Sequence, residues 1–404
     1  MGDLIRLTVH NYRCLRDIDF LAGDLNVLFG PNGVGKTTFL DALWFVRDCA
    51  IRGTAEAASA RHHGIGALTD GAEPGDERIE IGIETRAAKY TVTFGYSSGR
   101  IEPFVGEHLF SKARDVELVE RAVGSDQAVF HHEELNQPVS IRLRDPEKLA
   151  FSNFLLFHTP GQEALELDSL LKSLHFYSSR SINLYQLRKF GSESSIHTYP
   201  WDRWQNLWSA LRNLNDRRAV DDRFEIIMKF MRLAFPETFK DLVLESLGSD
   251  RVGASFVESG HRAPIQASGV SDGHLQLLGL LTALFGDHPN RSSLLLIDEP
   301  ETSLHPHAIV VLAQAVREAA QDWRRQVFLA THSPVLISQF PPSDVVVAEA
   351  ASDRCATLRR VSEIEELRGL LDAYSVGTLY MSEQVGRQSS PQVNGNGQPQ
   401  FAGA

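Results

Sequence analysis

Gly30-Pro31-Asn32-Gly33-Val34-Gly35-Lys36-Thr37-Thr38 carries the spacing G-x-x-x-x-G-K-T, that of a loop that cradles phosphate. Successive backbone N–H groups, ending in a helix N-terminus, can converge there on an anion. Glycines allow the tight turn and a close approach to phosphate oxygens. Lys36 is placed to neutralise β- and γ-phosphates, and the Thr37 hydroxyl to ligate Mg²⁺. Asn32, Gly33, Gly35, Lys36, Thr37 and Thr38 are therefore the candidate nucleotide ligands, with ATP and Mg²⁺ as the expected cofactors.

Three later stretches could complete such a site. Ser293-Leu294-Leu295-Leu296-Ile297-Asp298-Glu299-Pro300 is an apolar strand that ends in two carboxylates, the form of a Walker B element. Asp298 is expected to hold the metal through water, and Glu299 to polarise the attacking water as general base. Arg325 to Ala330 is a second short apolar run, ending in Thr331-His332-Ser333, where His332 can sense a γ-phosphate. Ser268-Gly269-Val270-Ser271-Asp272-Gly273-His274 precedes the apolar helix Leu275 to Phe285. The Ser271 hydroxyl, the Gly273 backbone and the helix N-terminus make a second anion site, with Asp272 expected to turn away from it as a helix cap.

Periodicity supplies the elements that must carry these groups. Leu4 to Val9, Ile18 to Phe20 and Leu25 to Phe29 read as strands, and Thr37 to Val46 as a helix. Arg52 to Glu77, rich in Ala, Gly and Pro, reads as a long loop. Ile79 to Glu84 and Tyr90 to Tyr96 pair about a turn near Ala87-Ala88, and Gln127 to Phe130 and Val139 to Leu143 extend an antiparallel sheet. Ala164 to Phe176, Trp201 to Leu214 and Arg223 to Leu233 have helical spacing, after which Leu242 to Leu247 and Val252 to Val257 return to alternation. Val345 to Val347 with Thr357 to Val361 read as strands that complete the sheet, Glu363 to Leu371 as a helix, and the tail after Gly386 as disordered. Trp201, Trp204 and Trp208 share one helical face and read as core. The pairs His62-His63, His131-His132 and His305/His307 lack the spacing of a metal site.

Composition narrows the classes. With 43% hydrophobic and 23% charged residues in 404, the chain can bury a full core, and no apolar run is long enough to span a membrane. The opening residues lack a signal-peptide core, and three isolated cysteines offer neither a disulfide framework nor a thiolate metal site, so a cytoplasmic location is expected. A net charge of −12 disfavours a surface coated for DNA, while leaving room for a local basic groove.

Asn11-Tyr12-Arg13, the phosphate loop, V-S-D-G-H at Val270–His274, the Asp298-Glu299 strand and Thr331-His332-Ser333 occur in the order found in ABC-type ATPases. The chain resembles a stand-alone RecF/SMC-like ATPase of the AAA class. The resemblance implies an α/β P-loop NTPase of ABC/SMC-head type, a mixed sheet with an antiparallel β lobe and an inserted helical lobe. The lobes are expected at 1–146, 147–262 and 263–380, followed by a tail at 387–404. It also implies that Arg13 lines the nucleotide site, that a lobe-junction glutamine (Gln162 or Gln186) contacts the metal, and that Glu301–Pro306 crosses a dimer interface. Two copies would then sandwich ATP, Ser271 of one closing over the γ-phosphate held by the other. The expected role is a DNA-linked ATPase of repair or anti-phage defence working with an effector such as a nuclease. An ATP-sensing scaffold without DNA binding, or a transporter motor, is the alternative. No heptad array separates the motifs, which disfavours a coiled-coil arm, and the stretch beyond His332 is short for a nuclease domain.

Overall fold

The computed structural model describes residues 3–72, 78–132, 137–157, 160–288, 293–351 and 355–386. A hairpin opens the chain, β1 (Arg6–Tyr12) antiparallel to β2 (Leu15–Leu21), with Tyr12 opposite Leu15. β3 (Leu25–Phe29), buried throughout, runs into the phosphate loop and α1 (Lys36–Arg52). The segment read as a loop from Arg52 instead forms α2 (Thr54–Ser59), and it packs Ala57 and Ala58 into the core. Small residues let the short helix lie close against α1, an arrangement that the Ala-, Gly- and Pro-rich composition had hidden; residues 73–77 lie outside the described range.

β4 (Arg78–Glu84), β5 (Ala88–Ser97), β6 (Arg100–Ile101), β7 (Gly106–Ser111), β8 (Val116–Arg121), β9 (Gln127–His132) and β10 (Gln137–Arg142) join the opening hairpin in one antiparallel sheet. Its order is β10-β9-β8-β7-β5-β4-β1-β2, with β6 beside β5. The sheet is tied to α3 (Ala150–Phe157) by a buried carboxylate: Glu107 accepts from the N–H groups of Ala150 and Phe151, the first turn of that helix, and from the Tyr90 hydroxyl. Arg121 lies 3.5 Å away and balances its charge.

α4 (Gln162–Lys172) stops short of the helix expected to reach Phe176. Leu174–Ser178 is a strand, β11, in the central sheet. Leu170, Leu171 and Leu174 are all buried, so apolar spacing alone could not mark where the helix gives way. α5 (Leu184–Phe190), β12 (Ser192–Glu193), α6 (Leu207–Asp216), α7 (Arg223–Ala234), β13 (Phe239–Ser246), β14 (Arg251–Glu258) and β15 (Ile265–Gln266) make the helical lobe and its small sheet, ordered β12-β14-β13 with β15 on β14. Helix α6 begins at Leu207, not Trp201, because Trp204 takes a left-handed backbone (φ 61) in the preceding turns. Trp204 and Trp208 are fully buried, Trp208 donating to the Leu187 carbonyl, so they are core.

The last third alternates: α8 (Asp272–Phe285), β16 (Ser293–Asp298), α9 (Pro306–Asp322), β17 (Arg325–Thr331), α10 (Pro334–Ile337), β18 (Val345–Ala350), β19 (Ala356–Arg360), α11 (Arg368–Leu371) and α12 (Val376–Met381). Glu363 to Leu371 is two short 3₁₀ turns and α11 rather than one helix. The tail at 387–404 lies outside the described residues.

The central sheet runs β11-β16-β17-β3-β18-β19, parallel except for β19. Its middle strands are buried on both faces, as parallel strands covered by helices must be. Alternate residues go to two separate cores. Val27, Phe29, Leu295, Ile297, Val327 and Leu329 pack with α6, α7, α8 and α9. Leu28, Leu294, Leu296, Phe328 and Ala330 pack with α1 and the antiparallel sheet. Among the described residues no helix is long and apolar enough to cross a membrane.

Candidate nucleotide site

The carboxyl ends of β3, β16, β17 and β11 lie side by side, and each delivers polar groups to the same end of the sheet. From β3 comes the phosphate loop. Gly33 is left-handed (φ 80) with open space where a side chain would project, as a phosphate cradle requires. Gly35 (φ 99) is pressed on the opening hairpin, where a Cβ would meet Cys14 Sγ at 2.7 Å. Lys36, 5% exposed, donates from Nζ to the Gly30 and Pro31 carbonyls at 2.8 Å each. Burial pushes its pKa down to about 8, against the pull of Asp298, Glu299 and Glu301. An ammonium so poorly solvated gains by meeting an anion.

Thr37 Oγ1 donates to Asp298 Oδ1 at 2.9 Å, and Ser178 Oγ, the last residue of β11, to Oδ2 at 3.3 Å. Asp298 is buried, which raises its pKa. A carboxylate held out of water between two hydroxyls is an oxygen set that fits Mg²⁺, and the metal's charge would offset the burial. Glu299 has a left-handed backbone (φ 52), which turns it off the strand axis and apart from Asp298. Its Oε1 accepts from Arg180 Nη2 at 2.7 Å and lies 4.0 Å from His332 Nε2.

His332 follows β17. Its Nδ1 is 3.5 Å from Lys36 Nζ, which has only protons to offer. A bond between them needs Nδ1 as the acceptor, which is the tautomer that leaves the hydrogen on Nε2. Burial, then the charge of Lys36, keeps the imidazole below its usual pKa and hence neutral. Glu301 fixes the strand end, its Oε1 accepting from the Thr331 hydroxyl (2.7 Å) and the His332 N–H (2.8 Å).

Among the described residues neither Gln162 nor Gln186 is bonded to Thr37, Asp298 or Glu299. Gln162 bonds to Glu166 at the exposed start of α4, and Gln186 donates its N–H to the cap of α5. Ser178-Ser179-Arg180 occupies the junction instead: β11 leads there in register with β16, Ser178 opposite Asp298. No sequence motif marked these residues; the pairing of β11 with the Walker B strand is what finds them.

Arg13 (φ 55) stands 3.4 Å from Asp41 on α1, with Tyr12 and Arg61 bonded to the same carboxylate at 2.6 and 3.0 Å. Arg13 thus reaches the phosphate-loop helix. Arg61, missed because it lay in the supposed loop, is its buried companion.

At the second anion site Ser271, not Asp272, is the cap of α8, accepting from the His274 N–H. Asp272 is held by Arg188 at 2.6 Å. The His274 ring stacks on Phe235 at 3.8 Å and places Nδ1 2.7 Å from Ser271 Oγ. Gly273 is needed for close packing, since a Cβ would lie 2.7 Å from the Ser303 carbonyl of the loop after β16. His305 caps α9 and His307 bonds to the Leu233 carbonyl, so that pair is structural. No cluster of metal-binding type occurs among the described residues.

Residues 25–338 match the family described as "AAA domain, putative AbiEii toxin, Type IV TA system". The chain belongs to this AAA family. By family and fold it is a RecF/SMC-like AAA ATPase. Over 40 residues it is 58% identical to the OLD nuclease of Thermus scotoductus, a match spanning 10% of this chain and 8% of that protein. Over 92 residues it is 34% identical to the DNA replication and repair protein RecF of Bacteroides thetaiotaomicron, spanning 21% and 25%. The AAA chain thus covers a quarter or less of these curated relatives. An Smc head bound to the C-terminal winged-helix domain of ScpA superposes with a TM-score of 0.52 at 15% identity, over 88% of this chain and 97% of that one. An Smc head with an extended coiled coil, bound to the C-terminal domain of ScpA derived from Pyrococcus furiosus, gives 0.51 at 11% identity, over 92% and 100%. Both show the head-domain fold.

Proposed function

We propose that this AAA protein binds ATP with Mg²⁺, hydrolyses it, and pairs with a second copy around the nucleotides. We further propose that it drives a DNA-linked process, repair or anti-phage defence, through a separate effector such as a nuclease. The observation that supports hydrolysis best is the meeting of Lys36, Thr37, Asp298, Glu299 and His332 at one sheet end. In this reading Lys36 leaves the loop carbonyls for the β- and γ-phosphates, and the loop N–H groups hold the remaining oxygens. Glu299 takes the proton of the attacking water, and His332 donates Nε2–H to the γ-phosphate. Mg²⁺, held by Thr37 and Asp298, would neutralise charge on the phosphate oxygens. Ser271 at the start of α8 caps the γ-phosphate of the other copy, so pairing depends on the triphosphate. The link to DNA rests on the names of the OLD and RecF relatives, which this chain matches only in part.

The test is ATP turnover with and without duplex DNA at several salt concentrations, together with light scattering to read the mass. ATP-dependent doubling of mass and salt-sensitive stimulation by DNA are expected. Turnover indifferent to DNA at every salt concentration leaves a scaffold that senses ATP without DNA; a chain that binds no nucleotide removes the ATPase reading.

A further inference from the structure

Arg180 has no place in the chemistry derived so far, yet among the described residues it makes the shortest side-chain contact to the proposed base. Its Nη2 is 2.7 Å from Glu299 Oε1, while 71% of its side chain is exposed. The backbone that carries it is held firmly. Ser179 donates its N–H to the Asp298 carbonyl at 3.2 Å, its Oγ accepts from Thr302 at 3.3 Å, and Ser178 is bonded to Asp298. A fixed root with a solvated, flexible end describes a side chain that can change partner without moving the fold.

The present partner stands where the attacking water would have to be met: a guanidinium on Oε1 occupies a lone pair that Glu299 needs in order to accept the proton of that water. The pair is exposed to water, where such bonds are weak. A phosphate dianion is the better partner, because the planar guanidinium fork matches two of its oxygens. The place for that phosphate is bounded by the same groups. His332 Nε2 comes to Glu299 Oε1 from another side, and Lys36 Nζ lies beside His332 Nδ1. Arg180 and His332 thus approach Glu299 Oε1 from two sides, with Lys36 next in line beyond the imidazole.

We propose that Arg180 is a γ-phosphate ligand supplied in cis: it holds Glu299 until a triphosphate binds, then passes to the γ-phosphate and frees Glu299 as base. The inference rests on the ATPase reading and deepens it, by giving the site a residue that distinguishes ATP from ADP. It also gives the end of β11 two roles, a hydroxyl from Ser178 on the metal side and a guanidinium from Arg180 on the phosphate side.

The test measures equilibrium binding of ADP and of the non-hydrolysable analogue AMP-PNP, each with Mg²⁺, to the full chain and to Arg180→Ala and Arg180→Lys, alongside ATP turnover. Arg180→Ala is expected to weaken AMP-PNP about tenfold, as loss of a charge-assisted bond does, and to leave ADP affinity within about twofold. Turnover is expected to fall by about 10³. Arg180→Lys restores part of the AMP-PNP affinity, as a charge without the fork would. Equal weakening of both nucleotides, no change in either, or faster turnover by Arg180→Ala overturns the assignment while leaving the ATPase reading intact. A wild-type chain that binds neither nucleotide overturns both. The high exposure of the side chain keeps folding out of the comparison, and thermal melts of the variants check it.

Discussion

Thr37 and Asp298, 261 positions apart in the chain, meet at 2.9 Å through a hydroxyl donating to a carboxylate. This bond joins the start of α1 to the end of β16 across β17, and it places the two oxygen ligands proposed for the metal within one coordination sphere's reach.

Asp298→Asn tests what that carboxylate is for. Its burial disfavours the charge, so the neutral isostere should leave the fold intact or raise stability by about 1 kcal/mol. Turnover should fall by at least about 10² if the carboxylate serves the metal. Urea melts and phosphate release check the two halves; a large stability loss with normal turnover would make the residue structural.

Glu299→Gln removes the proposed base and keeps its shape. ATP should still bind, hydrolysis should drop by about 10²–10⁴, and the paired form should accumulate with ATP on size exclusion. Rapid turnover by this variant counts against the assignment.

At Ser271 the outcome should depend on the second copy. Ser271→Glu sets a carboxylate against the neighbouring γ-phosphate, so pairing is expected to vanish at every ATP concentration while a single chain still binds nucleotide. His274→Ala removes the ring that holds Ser271 Oγ at 2.7 Å and should lower turnover several-fold with ADP affinity unchanged. A monomer that hydrolyses ATP at the wild-type rate with Glu at 271 would refute the shared site.

Acid should weaken the fold through His175 and His288, fully buried rings 4.7 Å apart. Burial lowers the pKa of both, His288 most; Arg325 lowers both further, Arg47 lowers His175, Arg223 lowers His288, and Asp202 opposes the shift at His175. The unfolded chain takes up protons near 6.5 while the folded rings do not, so ν for the unfolded state is larger below that pH and stability falls as pH drops through it. His288→Gln keeps a donor for the Ala283 carbonyl and cannot titrate. Its melting temperature should therefore fall less between pH 7.5 and 5.5 than that of the wild type; equal falls would clear His288 of the effect.

Gly279→Ala should cost about 1–3 kcal/mol by overpacking, because its Cβ would lie 2.4 Å from the Trp204 ring. The shift in urea midpoint at unchanged slope reads it.

The phosphate loop, the Asp298 strand and the His332 strand were legible because each is a short, wholly apolar run ending abruptly in chemistry. Their neighbours were not. Leu174–Ser178 has no feature that separates it from the helix before it, and its identity comes from the pairing with Leu294–Asp298. Ser178 and Arg180 are ordinary surface residue types until that pairing sets them beside Asp298 and Glu299. Arg61 was hidden in the same way, its partners Asp41 and Asp48 lying on another helix. The Trp201–Trp208 stripe shows the opposite error, a helical period continued through turns that Trp204 breaks. Local pattern reveals strands that are apolar on both faces; it is silent where a tertiary neighbour supplies the meaning.

β3, β16 and β17 all give odd-numbered side chains to one core and even-numbered ones to the other. Sliding any of them by one residue would invert both interiors at once, so the sheet has no cheap alternative register. It behaves as a rigid keel between two hulls. Each hull is therefore fastened to the same strand ends, those that carry the phosphate loop, Asp298 and His332.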